Sequence, residues 1–247
     1  MMRVLRCGGV ILAMLGLGAS PTWAQGTTGS ASADDGWQMT LRPYLFLSGL
    51  SGSVTSGSLT FPINSSFGEL IDNLRPSFFV AYTAERGAWG VYADAQYISL
   101  LGQATHAPGT SLELKNVIVE ADLTYRPSLA PSLHFFAGLR MYTVDQTLNI
   151  ASQPKVEANT TVVDPIIGAT GAWALTPGWA FEMRGDIGGY GAGSEFTHQL
   201  MGLLTWRMND TFRLPFGYRV LGYQIQTGDV MMNTQMGGVV VGLDAKF

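Results

Sequence analysis

Charge, cysteine and long apolar runs are all scarce in this 247-residue chain, and each scarcity excludes a class of protein. Only 13% of residues are Asp, Glu, Lys or Arg, yet the mean hydropathy is positive at +0.18. The one cysteine, Cys7, cannot found a disulfide framework. Beyond the extreme N-terminus no apolar run reaches the roughly 20 residues that a membrane-crossing helix requires. Bases are the minority, with 14 Lys and Arg against 18 Asp and Glu. Loss of Arg3 and Arg6 with an N-terminal leader leaves 12 against 18, a net charge of −6. Such a chain lacks the basic face that nucleic acid demands. With no His pair and no second Cys there is no metal-ligand spacing, and no cofactor is expected.

The N-terminus has the layout of a secretory signal. Arg3 and Arg6 supply the positive region, Val10 to Gly18 the apolar region, and Thr22-Trp23-Ala24 a cleavage site between Ala24 and Gln25. Cys7 precedes the apolar region, where a lipoprotein signal would not place it. Cleavage after residue 24 yields an exported chain without cysteine, which suits the bacterial envelope. Residues 25–36, rich in Gly, Ser, Thr and Ala, bury nothing and read as a flexible periplasmic leader.

The remaining apolar content is dispersed in alternation. From Gln235 onward, Gly237, Val239, Val241, Leu243, Ala245 and Phe247 share one face, while Val240, Gly242, Asp244 and Lys246 share the other. A period of two is a strand. In a soluble protein such a terminal strand would be a hazardous exposed edge, whereas in an outer-membrane barrel it closes the sheet with its apolar face toward lipid. A sandwich strand that happens to end the chain is the alternative.

The same alternation recurs along residues 37–247, and 31 glycines speak against helix as the main element. The first strand runs from Trp37 to Ser48, with a bulge or weak pairing expected at Pro43. Gly49 to Arg75 is the longest connection. It contains a small hairpin from Val54 to Ile63 around Ser56-Gly57 and one short helix, Ser66 to Leu74. Ser66 and Glu69 have capping-box spacing there, and Phe67, Leu70, Ile71 and Leu74 recur at helical spacing. Further strands follow near residues 77–85, 89–97, 116–126, 133–142, 163–173, 179–187, 199–207 and 213–220 before the last. The fold expected is all-β, a single antiparallel transmembrane β-barrel of ten strands, with eight as the alternative. An even number puts both termini in the periplasm. Turns after Arg86, Arg126, Leu175 and Met208 are tight. Connections at Gly49, Gln103, Asn149, Gly189 and Thr227 are mostly longer, including polar loops near residues 105–110, 152–159 and 227–233. Gly188 to Ser194 lacks the following helix and Lys-Ser/Thr of a phosphate loop, so it reads as a flexible external turn.

Tryptophan placement is an independent indication. Trp37, Trp89, Trp173, Trp179 and Trp206 all fall at strand ends beside short turns or the leader, on the face assigned to lipid, and Tyr125 and Phe247 join them. An aromatic girdle at one bilayer interface has this distribution; a sandwich core would spread tryptophan through strand middles.

The opposite face carries the charges. Glu85, Asp94, Glu120, Asp122, Asp164, Glu182, Asp186 and Asp244 point to the lumen. So do Arg42, Arg126, Arg140, Arg184, Arg207, Arg213, Arg219 and Lys246. Two readings follow: a selective polar channel, or a salt-bridge ladder that fills the lumen. Arg140, Arg184 and Arg219 should meet Asp94, Glu120, Asp122 or Asp186. Catalysis has less support, because His106, His134 and His198 stand in a loop and near opposite rims, with no Ser and acid converging on them.

Several motifs together resemble a family of small, largely uncharacterised proteobacterial outer-membrane β-barrel proteins, similar in turn to OmpW- and OmpA-type barrels. They are Leu41-Arg42-Pro43-Tyr44-Leu45 with Trp37, the Ser66 to Leu74 segment, Glu85-Arg86-Gly87-Ala88-Trp89-Gly90, Gly185 to Ser194, and Gly217-Tyr218-Arg219. The resemblance implies outer-membrane lipid as surroundings and a terminal Phe247 read by the barrel-assembly machinery. It implies no ligand. The function expected is passive passage or binding of small solutes in a narrow or filled lumen. The alternative is a structural or surface-interaction barrel acting through its external loops, and a lipid-modifying or protease barrel comes third.

Overall fold

The structure is a computed structural model, and it describes residues 36–56, 59–65, 77–103, 111–149, 155–227 and 230–247. The signal segment, its cleavage site, most of the leader, the Ser66 to Leu74 helix and His106 lie outside the described residues. Within them there are twelve strand segments and no helix. They are β1 (Gln38–Ser56), β2 (Leu59–Ser65), β3 (Phe78–Arg86), β4 (Trp89–Gln103), β5 (Ser111–Tyr125) and β6 (Leu133–Asn149), followed by β7 (Val156–Thr176), β8 (Trp179–Gly189), β9 (Phe196–Arg207), β10 (Phe212–Thr227), β11 (Val230–Gly242) and β12 (Asp244–Lys246).

Every pairing is antiparallel, and each strand from β3 to β10 pairs with the next. Closure comes from β1, which pairs β3 on one side and β11 with β12 on the other. β11 and β12 keep one register against both β1 and β10, so they form a single stave interrupted at Leu243. β2 pairs only β1, as the hairpin above it, with Val54 opposite Phe61. The barrel therefore has ten staves rather than eight.

The interruption at Leu243 has a local cause. In the continuous register Leu243 falls opposite Pro43, and Gly242 falls opposite Pro215. Neither proline has an N–H to give the ladder. One bond survives there, from the Leu243 N–H to the Pro43 carbonyl at 3.0 Å. The weak pairing expected at Pro43 thus appears as a gap in the partner stave, with no bulge in β1.

Several strands run further than the sequence reading had them. β1 continues to Ser56, β6 to Asn149 and β10 to Thr227, while β7 begins at Val156 and β11 at Val230. Much of the polar loops placed at 152–159 and 227–233 is therefore paired strand, with Thr147 opposite Glu157 and Gln226 opposite Met231. The physical reason is that β7, at 21 residues, is about twice the roughly 9–11 needed to cross a bilayer. Above the bilayer both faces of a hairpin meet water, so apolar alternation ends while hydrogen-bonded pairing does not.

In and out alternate as the period of two requires. Along β5, Val119, Leu123 and Tyr125 are exposed while Ile118, Glu120, Asp122 and Thr124 are buried. Two inward glycines make room for the interior. A Cβ on Gly138 would meet Asp122 Oδ1 at 2.0 Å, and one on Gly168 would meet Phe136 at 2.5 Å. Side chains in those places would displace the buried groups described next.

Candidate functional site

The middle of the barrel is a layer of charge. Arg184 on β8 reaches across to β5, where its Nη2 donates to Glu120 and, at 2.6 Å, to Asp122. Its guanidinium lies between the Phe136 and Tyr92 rings, 3.9 and 4.4 Å from their centroids. Arg140 Nε donates to Glu120 at 2.6 Å and its Nη2 to Asp186 at 2.8 Å, so Glu120 is shared by two guanidinia. Arg219 Nη1 donates to Tyr44 Oη at 3.0 Å and to Asp94 at 3.2 Å, and the Tyr44 hydroxyl itself donates to Asp94 at 2.8 Å. Nearer the tight turns, Arg42 bridges Glu182 and Asp244, each at 2.9 Å. Arginine suits this layer because a planar fork satisfies two carboxylates at once and its flat face packs on aromatic rings.

An apolar layer covers the charges on the side of the long connections. Ile118, Tyr142, Leu221, Tyr223, Ile225 and Met236 are buried there on inward positions. Tyr142 and Tyr223 pack ring to ring at 4.8 Å, and the Tyr142 hydroxyl shares a 2.6 Å hydrogen bond with Thr197. The sequence reading drew the inward face as polar and missed this layer. The signal was present in the inward aliphatic and aromatic residues of β5, β6 and β10, but short alternations weigh charge more visibly than packing.

Asp164 is fully enclosed, yet its hydrogen-bond donors come from a loop rather than a guanidinium. The Ser194 N–H donates to its Oδ1 at 2.6 Å and the Ser194 hydroxyl to its Oδ2 at 2.5 Å. The connection from β8 to β9 turns inward to do this, with Gly189, Tyr190 and Gly191 at positive φ. The Gly188 to Ser194 segment, read from sequence as a flexible external turn, is thus fastened to the barrel interior. Ser194 itself has no exposed surface.

Two of the inward charges are elsewhere. Arg207 is exposed at the end of β9 and pairs with Asp210 at 3.0 Å, and Arg126 donates to the Gly87 carbonyl at 2.7 Å in the neighbouring tight turn. Arg126 follows the last residue of β5, and Arg207 is the last residue of β9, still paired with Arg213, so both stand at the rim where a long side chain can reach a turn. Glu85, Arg213 and Lys246 line a cavity of about 540 Å³ at the tight-turn end of the barrel. His134 also lines it, with its Nε2 3.6 Å from Glu85. His198 lies at the start of β9, toward the opposite end of the barrel, stacked on Phe196 at 5.5 Å. Among the described residues no group of His, Cys, Asp and Glu is arranged to hold a metal ion.

No family model and no curated protein matches the chain. Solved structures do. The outer-membrane protease OmpT from Escherichia coli aligns with a TM-score of 0.54 at 9% identity, over 90% of this chain and 100% of that one. The chain has the fold of a bacterial outer-membrane β-barrel. Ail, the attachment invasion locus protein of Yersinia pestis, in complex with the heparin analogue sucrose octasulfate, aligns with a TM-score of 0.45 at 10% identity, over 85% and 99% of the two chains. A Pseudomonas aeruginosa FadL homologue gives 0.41 at 6% identity, over 85% and 89%. Similarity at this level concerns the fold alone.

The outside of the barrel fits that setting. Leu45, Leu123, Leu139, Ile167 and Leu200 are exposed on outward positions, a surface that only a lipid environment stabilises. Trp37, Trp89, Tyr125, Trp173, Trp179, Trp206 and Phe247 are also exposed, between 39% and 67%, all toward the tight-turn end. They meet sideways, Trp89 against Tyr125 at 4.9 Å and Trp179 against Trp206 at 6.4 Å.

Proposed function

We propose that this barrel is closed to diffusion and acts through its ends, as a surface-interaction protein of the outer membrane rather than as a pore. The observation that carries this reading is the enclosure of Arg140, which has no exposed surface and is bonded to Glu120 and Asp186 beneath the Tyr142–Tyr223 pair. A solute crossing the lumen would have to break that network and displace the rings above it. In eight-stranded barrels side chains fill the interior, and water channels belong to barrels of about 16 strands or more. A ten-stave barrel with this interior sits toward the filled end. The material for surface contact is the set of hairpins rising from the long-connection end. β4 with β5 and β6 with β7 remain paired as far as Gln103 with Ser111 and Leu148 with Val156. With short turns in the periplasm, these hairpins face the cell exterior.

The test is the current through refolded protein in a planar bilayer. The expected result is no steady conductance above that of the bare membrane. Large, stable single-channel steps would overturn the closed-barrel reading and restore passive solute passage.

A further inference from the structure

The cavity of about 540 Å³ at the tight-turn end opens toward the short turns and stops at the charged layer. That volume is within the range of sites that enclose one small molecule. Its lining carries four cations, Arg42, Arg184, Arg213 and Lys246, against three carboxylates, Glu85, Glu182 and Asp244. Arg42 spends its charge on Glu182 and Asp244. Arg184 is turned to Glu120 and Asp122 behind the floor. Among the described residues, the side chains of Arg213 and Lys246 have no hydrogen bond or ion pair. They stand on adjacent staves, because Arg213 is opposite Asp244, two residues before Lys246. Two half-buried cations side by side in a concavity repel each other, and the nearby Glu182 and Asp244 already bond Arg42, so a further anion would be held by both.

A second observation concerns the cavity floor. Arg184 and Thr124 both border the cavity, and neither Arg184 Nε, which lies 3.9 Å from Asp186, nor Thr124 Oγ1 has a hydrogen-bond partner. A buried donor left unmade is costly, so such atoms mark where a ligand oxygen would be accepted. Packing between Tyr92 and Phe136 holds the Arg184 guanidinium in place, and a small outward shift of the floor would bring these enclosed atoms to a ligand oxygen.

We propose that this vestibule binds a small organic anion, a carboxylate or phosphate monoester. Arg213 and Lys246 hold its charge, and Arg184 Nε and Thr124 Oγ1 meet its far end. The assignment goes beyond the closed-barrel reading and does not depend on it, since the vestibule would be the same under a conducting lumen. With the short turns in the periplasm, the ligand enters from that side.

Succinate, inorganic phosphate and glucose titrated calorimetrically into barrel refolded in an uncharged maltoside detergent would test this. Saturable heat is expected with succinate or phosphate and none with glucose. Each lost charge-assisted bond weakens binding by about tenfold or more. Arg213→Gln and Lys246→Gln should each show that loss, whereas Lys246→Arg and the exposed Arg207→Gln should bind as the parent does. Neither cation holds a buried carboxylate, so these variants should fold, and heat-modifiable mobility confirms that they have. Absence of saturable heat with either anion would overturn the proposal. So would undiminished binding by the two Gln variants, or an equal loss in Arg207→Gln. Glycerophosphoglycerol that competes where succinate does not would reassign the site to a phospholipid headgroup.

Discussion

Arg184 on β8 and Asp122 on β5 meet across the barrel interior at 2.6 Å, joining two staves that share no ladder. Pairing around the wall sets the circumference of the barrel. The interior bonds tie opposite walls together, and Glu120 belongs to both arrangements, since it is the register partner of Arg140 and also accepts from Arg184.

Replacing Arg184 with Ala strands Glu120 and Asp122 as buried carboxylates with one donor fewer. In a dry interior that costs roughly 3–5 kcal/mol, and in a wet channel only about 0–1 kcal/mol. The larger loss is expected for Arg184→Ala, read as a lower urea midpoint for refolded barrel by tryptophan fluorescence. A midpoint equal to the parent's would mean that water reaches the layer, and it would count against a filled lumen independently of any current measurement.

Ser194→Ala removes one of the two donors that Ser194 gives to the enclosed Asp164 carboxylate. Leaving a buried acceptor short of a donor costs about 1–3 kcal/mol. Because only the loop from Gly189 to Ser194 depends on this bond, the consequence should be local. Limited proteolysis should nick the variant in that segment faster than the parent while heat-modifiable mobility stays the same. Equal nicking rates would show that the loop is held by its backbone alone.

Phe247 pairs with Met39 through both backbone bonds, at 3.1 and 3.2 Å, and its ring is the most exposed of the aromatic girdle. Deleting it frees the end of β1 and removes a lipid-facing anchor from the closing stave. The expected outcome in cells is a smaller folded fraction in the outer membrane, seen as loss of the fast-migrating band in unheated samples. If the deletion lowers folding in cells and leaves refolding in detergent unchanged, its role is recognition by the assembly machinery. A folded fraction equal to the parent's under both conditions would refute both roles.

By itself the sequence determined which residues face lipid, that the closing strand is the last one, and that Arg140, Arg184 and Arg219 point inward. These follow from a period of two, a relation between near neighbours that a single strand already expresses. The girdle tryptophans were legible for the same reason, each lying beside a turn that the chain itself marks. Tertiary structure alone decided the rest. Arg184 and Glu120 are 64 residues apart, and no local pattern says which inward carboxylate an inward guanidinium will reach across a lumen. The apolar cover over the charges arises when Tyr142 on β6 meets Tyr223 on β10, and the anchoring of the Gly188 to Ser194 segment arises when its hydroxyl meets Asp164 on β7. Arg126 and Arg207 escaped the pattern because one lies just past its ladder and the other on its last rung, where a long side chain is free to turn to a neighbouring loop. The hairpins outran the reading for the converse reason, since backbone pairing persists in water after the lipid that imposed the alternation has ended.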